Sequence, residues 1–181
     1  WPVLVLDIES IPDVEGLRAL RAAPADQTDE QVYAGWLEER KAKGQSDFMP
    51  LHLQRVLVIS CVFRNAEGLR IHSFVDRDGQ SEGKVVQTFF HAVEKHTPQL
   101  VSWNGGGFDF PAMYSPKNNA PLDAMAKLCG FPGKLGMDGA QVYAQYLAGQ
   151  TEDIRRYCET DVMNTYLVYC RFQKMRGGLT E

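Results

Sequence analysis

The chain has 181 residues, 44% hydrophobic and 23% charged, enough apolar material for one sizeable core and too little charge for a disordered polyelectrolyte. Its net charge of −4 excludes a broadly basic surface of the kind that coats nucleic acid without specificity. No stretch approaches the roughly 20 apolar residues of a membrane span, so no membrane partner is expected. Trp1 in first place leads us to expect a trimmed N-terminus. Cys61, Cys129, Cys158 and Cys170 are widely spaced with no CxxC pair, the pattern of reduced core thiols in a cytoplasmic protein rather than of a disulfide framework or zinc site.

Residues 3–6 form an apolar run that reads as a buried strand, continued by Asp7-Ile8-Glu9 and ended by Ile11-Pro12-Asp13. Residues 15–43 are rich in helix formers and predict one or two helices broken near Pro24, and 44–50 read as a loop. Two apolar segments, 55–63 and 69–75, flank the turn cluster 64–68 and predict a hairpin. Residues 81–96 carry Val85, Val86, Phe89 and Val93 on one helical face. A short strand at 99–103 runs into three glycines, 105–107. A helix at 121–129, a glycine-containing loop at 130–139 and helices near 140–148 and 151–175 complete a mixed α/β layout, expected to be a single domain over residues 1–181.

Three segments carry chemistry. On a strand, residues i and i+2 share a face, so Asp7 and Glu9 project together from the end of an apolar strand. Two like charges so close repel unless a cation lies between them. The second segment, Asn104 to Pro111, breaks a strand into three glycines and then presents Asp109 between Phe108 and Phe110. It is no phosphate-binding loop, because no GK[ST] follows, and Phe110 stands where a dinucleotide fingerprint needs its third glycine. In the third, Tyr157 and Asp161 lie four apart on one helix face, in line with Ile154 and Cys158, so an acid falls on the stripe that should face the core. Each signal alone is weak. Together they bring four carboxylates to the core-facing ends of their elements, a set suited to hard divalent cations such as Mg²⁺ or Mn²⁺. With those four of the 23 acids set aside as cation ligands, as many acids remain as the 19 bases, and the negative net charge ceases to argue against a phosphate substrate. His52, His72, His91 and His96 lie outside the three segments, which points away from zinc.

The pattern resembles the DEDD (DnaQ-like) 3′–5′ exonucleases, which have the ribonuclease H-like fold. Asp7 to Pro12 resembles the first motif of that family, Asn104 to Pro111 the second, and Tyr157 to Asp161 the third, in its tyrosine (DEDDy) form. More narrowly, the chain is similar to predicted exonucleases related to the proofreading domain of family B DNA polymerases. The resemblance implies a mixed sheet, an antiparallel hairpin plus parallel strands, flanked by helices. It implies a nucleic-acid substrate with a free 3′ end, single-stranded at the terminus, and two divalent cations held by Asp7, Glu9, Asp109 and Asp161. It assigns Tyr157 to the catalytic set, Ser10 and Ile11 to the terminal nucleotide, and Asn104 and Phe108 to the penultimate one. Lys134 is read as solvated, with a phosphate contact as the alternative. The family pattern has a longer stretch after its second motif, so a segment omitted between about 113 and 114 is expected. A binding module that has lost catalysis and an internal-cutting ribonuclease H-like nuclease remain as alternatives.

Overall fold

A computed structural model describes residues 2–50, 53–76, 82–103, 121–134 and 136–175. Its contacts divide the chain into two compact units, one of residues 1–9 with 56–181 and one of residues 10–55.

The larger unit is organised on a sheet of strand order β3-β2-β1-β4, in which β1 (Val3–Pro12) and β2 (Gln54–Asn65) each run on into the smaller unit. β1 pairs in parallel with β4 (Gln99–Ser102), Val3 opposite Gln99 through Leu6 opposite Ser102. β2 and β3 (Gly68–Val75) form the expected antiparallel hairpin, from Val58 opposite Val75 to Asn65 opposite Gly68. Ala66 and Glu67 alone are left to turn the chain, and Gly68 follows at φ 143°, a conformation that disfavours any side chain. The sheet is thus mixed, antiparallel and parallel, and helices flank it, as the ribonuclease H-like fold requires.

Period-two alternation along β1 gives the sheet two different faces. Leu4 packs with Ile59, Cys61, Val85 and Phe89, which brings α3 (Glu82–His96) onto one face. Val5 packs with Val62, Val162 and Tyr166, which brings α6 (Thr151–Met175) onto the other. α4 (Leu122–Leu128) and α5 (Val142–Leu147) pack against α6 in turn. The single helix expected near 140–148 is split: Asp138 caps a 3₁₀ turn at Gly139–Gln141 before α5 begins.

The smaller unit holds two helices where one or two were expected between residues 15 and 43. α1 (Val14–Arg21) starts on Asp13, whose carboxylate accepts from the Gly16 amide at 3.0 Å. α2 (Asp29–Ala42) starts on a capping box between Thr28 and Gln31. Arg18 fixes the connection by donating to the carbonyls of Pro24 and Gln27 and to the Asp29 carboxylate. β1 persists to Pro12, three residues beyond Glu9, and Pro12 stands at the strand end, where a missing N–H is tolerated.

Candidate active site

All the acidic site residues that the structure describes belong to the larger unit. Because Val5 faces α6, residues 7 and 9 face it too, and the exposed Ile8 points away. The apolar face of β1 therefore turns acidic at its end, with Asp7 and Glu9 both half-buried. On α6 the stripe Ile154, Tyr157, Cys158, Asp161 and Val162 is buried throughout, and helical spacing brings the tyrosine, thiol and acid to the same side. The Cys158 thiol lies 3.5 Å from the Asp7 carbonyl oxygen and 3.9 Å from Asp7 Oδ2. Asp7, Glu9 and Cys158 each offer a ligand atom within 4.8 Å of the other two.

A third element enters from the loop before α5. Lys134 Nζ donates to the Tyr157 hydroxyl at 2.6 Å, lies 3.4 Å from Asp161 Oδ2, and stands 5.1 Å from the centre of the tyrosine ring. Its backbone is held from two sides. The Asp123 carboxylate of α4 accepts from the Lys134 amide at 2.8 Å. Asn164 of α6 pairs with Gly133, its amide donating to the Gly133 carbonyl at 2.8 Å and its oxygen accepting from the Gly133 N–H at 3.2 Å. Gly133 has φ 74°, and a Cβ there would sit 2.4 Å from an Asp123 carboxylate oxygen, so only glycine fits.

The electrostatics are those of crowded, poorly hydrated carboxylates. Burial, and then the Asp161 charge, push the Asp7 carboxyl up to about 7. Burial, with Asp7 and Asp161, pushes Glu9 up to about 8, and Lys134 opposes both shifts. Burial and the same acids raise the Tyr157 hydroxyl, which therefore stays protonated at neutral pH. Asp161 is 5% exposed, and its Oδ1 is fully buried with no hydrogen-bond partner among the described residues. A buried, unpartnered carboxylate oxygen is costly unless a cation is there to receive it. This orphaned atom, beside two oxygen donors that resist ionisation for want of positive charge, fits a hard divalent cation.

Residues 46–115 and 112–181 match a family described as predicted 3′–5′ exonucleases related to the exonuclease domain of PolB. The chain belongs to this family. Its assigned chemistry is exonucleolytic, so its substrate class is nucleic acid. The match leaves out the first 45 residues. Asp7 and Glu9 are thus brought beside Tyr157, Cys158 and Asp161 by the geometry of β1 against α6, not by the family pattern. No curated protein and no solved structure matches the chain.

Of the residues expected at the site, Asp7, Glu9, Tyr157 and Asp161 come together. Asn104, Phe108 and Asp109 lie outside the described residues, as does the expected interruption near 113–114. In the smaller unit, the Ser10 hydroxyl donates to Gln54 Oε1 at 2.5 Å and the Ile11 side chain is 2% exposed. Lys134 was expected to be solvated and is instead engaged with Tyr157 and Asp161. Asn164 and Asp123, which hold it there, carry no sequence signal, because their partners are fixed only by the fold. Among the described residues, no helix is long and apolar enough to cross a membrane.

Proposed function

We propose that the chain is a metal-dependent 3′–5′ exonuclease that hydrolyses the terminal phosphodiester of DNA or RNA. The observation that carries this reading is the orphaned, buried Asp161 oxygen beside Asp7 and Glu9 in a member of an exonuclease family. Asp7, Glu9 and Asp161, with Asp109, would hold two cations, Mg²⁺ or Mn²⁺. Such a pair lowers the pKa of bound water and offsets charge on the leaving 3′ oxygen.

The remaining work falls to the chain itself. Tyr157 keeps its proton, so it orients the attacking water rather than acting as its base. The Lys134 ammonium fixes the hydroxyl of Tyr157 and adds positive charge where a phosphate would sit. Ser10, Ile11, Asn104 and Phe108 are the residues we assign to the last two nucleotides. With its side chain buried, Ile11 can offer a nucleotide only its backbone. The free thiols support a cytoplasmic location.

A ladder assay on 5′-labelled DNA and RNA with Mg²⁺ or Mn²⁺ tests the reading. Stepwise shortening from the 3′ end is expected, and is to be lost on chelation. Internal fragments would point to an internal-cutting nuclease. Retention of the strand without cleavage would leave only a binding module.

A further inference from the structure

Lys134 reaches the site on a long, flexible stem, so the place of its ammonium depends on how firmly its backbone is held. Two side chains outside the acidic cluster hold it. Asn164 is 4% exposed and commits both of its donors and its acceptor. Its Nδ2 donates to the Gly133 carbonyl at 2.8 Å and to the Thr160 carbonyl at 3.0 Å, and its Oδ1 accepts from the Gly133 N–H at 3.2 Å. Asp123 of α4 accepts from the next amide, that of Lys134, at 2.8 Å, and is itself steadied at 2.8 Å by Lys127 one turn along. Adjacent residues of the loop are thus pinned from two helices. Asn164 shares α6 with Tyr157 and Asp161, the two partners of the ammonium at 2.6 and 3.4 Å. Sliding of the loop along α6 is the motion that would take Lys134 off the tyrosine, and it is the motion that Asn164 blocks.

We propose that Asn164 and Asp123 are positioning residues of the nuclease, which hold the Gly133–Lys134 backbone so that the ammonium keeps the Tyr157 hydroxyl aligned for the attacking water. A displacement of about 1 Å in such a group can cost on the order of 100-fold in rate, although neither residue touches the substrate. The role rests on the exonuclease reading; the clamp rests on its hydrogen bonds alone.

Amide hydrogen exchange of the full chain reads the clamp, and a double-mutant cycle with Lys134 reads its role. In the unaltered protein the Gly133 and Lys134 amides should exchange slowly. Asn164→Ala should release the first, and Asp123→Ala the second. On a 5′-labelled strand with Mn²⁺, each of these changes should lower kcat by roughly 10- to 100-fold, the range for loss of a partner that orients a site group. Asp123→Asn, which keeps an acceptor for the Lys134 amide, should retain most of the activity. Neither alanine change should lower kcat further once Lys134→Ala is present, because a residue that acts through Lys134 then has nothing left to position. Losses that multiply in the Lys134→Ala background, or fast exchange of both amides in the unaltered protein, would overturn the proposal and leave the exonuclease standing. Asp123 is partly exposed, so its variants supply the test even where Asn164→Ala fails to fold. Absence of strand shortening by the unaltered protein with either Mg²⁺ or Mn²⁺, while both amides are protected, would instead remove the exonuclease reading, and with it the role but not the clamp.

Discussion

The two faces of the sheet are built from alternate residues of the same strands, and they serve opposite ends. Towards α3, Leu4, Ile59, Cys61, Val85 and Phe89 make a continuous apolar layer. Towards α6, Val5, Val62, Val162 and Tyr166 begin in the same way, but further along the same face lie Asp7, Glu9, Tyr157, Cys158 and Asp161. One face contributes only burial. The other uses its apolar half to fix α6 against β1, and then holds three carboxylates where water hydrates them poorly. Packing at Val5 and Val162 thus sets the geometry of a site that, without a cation, opposes folding.

Paired substitutions should separate the two faces most sharply. Asp161→Asn is expected to abolish metal-dependent digestion without lowering thermal stability, since it removes one of three mutually repelling charges. Phe89→Ala should do the converse, costing about 3–5 kcal/mol in denaturant unfolding while leaving turnover per folded molecule intact. Near-wild-type digestion by Asp161→Asn would remove the acid from the site.

A smaller effect is expected at Tyr157. Tyr157→Phe keeps the ring but loses the hydroxyl that Lys134 holds, and should lower kcat by roughly 10- to 100-fold with little change in KM. A rise in KM at constant kcat would mean that the hydroxyl binds substrate.

The acidic end should also give the metal-free protein an unusual pH dependence. Asp7 and Glu9 are raised from ordinary carboxylate values to about 7 and about 8. Between pH 4 and these values the folded state holds more protons than the unfolded one, so their contribution is fully present below about pH 4 and is lost as pH rises through 7 to 8. Metal-free protein should accordingly melt at a lower temperature at pH 8 than at pH 5.5. A divalent cation should narrow the difference, because it stabilises the ionised form. A melting temperature flat across this range in the absence of metal would show that the carboxylates are better hydrated than their burial implies.

Much of this contrast could be read in the sequence, because it follows from periodicity. Period two along residues 3–9 set Asp7 and Glu9 on the face of Val5, and the spacing of four set Tyr157 with Asp161. The turn cluster around Gly68 announced the hairpin. What stayed hidden depends on contacts between distant segments. Lys134 sits in a glycine-containing loop with no period, and its place is decided by Asn164, 31 residues beyond Gly133, and by Asp123 on another helix. Cys158 read as one more apolar position of α6 until the strand end was laid beside it. The strand end expected at Ile11-Pro12-Asp13 falls at Pro12, but the burial of Ile11 beside it had no sequence signal.

The central claim is that the acidic end of the α6 face is a divalent-cation site. Calorimetric titration of the full chain with Mn²⁺, run beside Asp161→Asn, tests it most directly. The account predicts two bound ions per chain in the unaltered protein, and loss of that stoichiometry in the folded variant. Failure of the unaltered protein to bind Mn²⁺, or undiminished binding by Asp161→Asn, would contradict it.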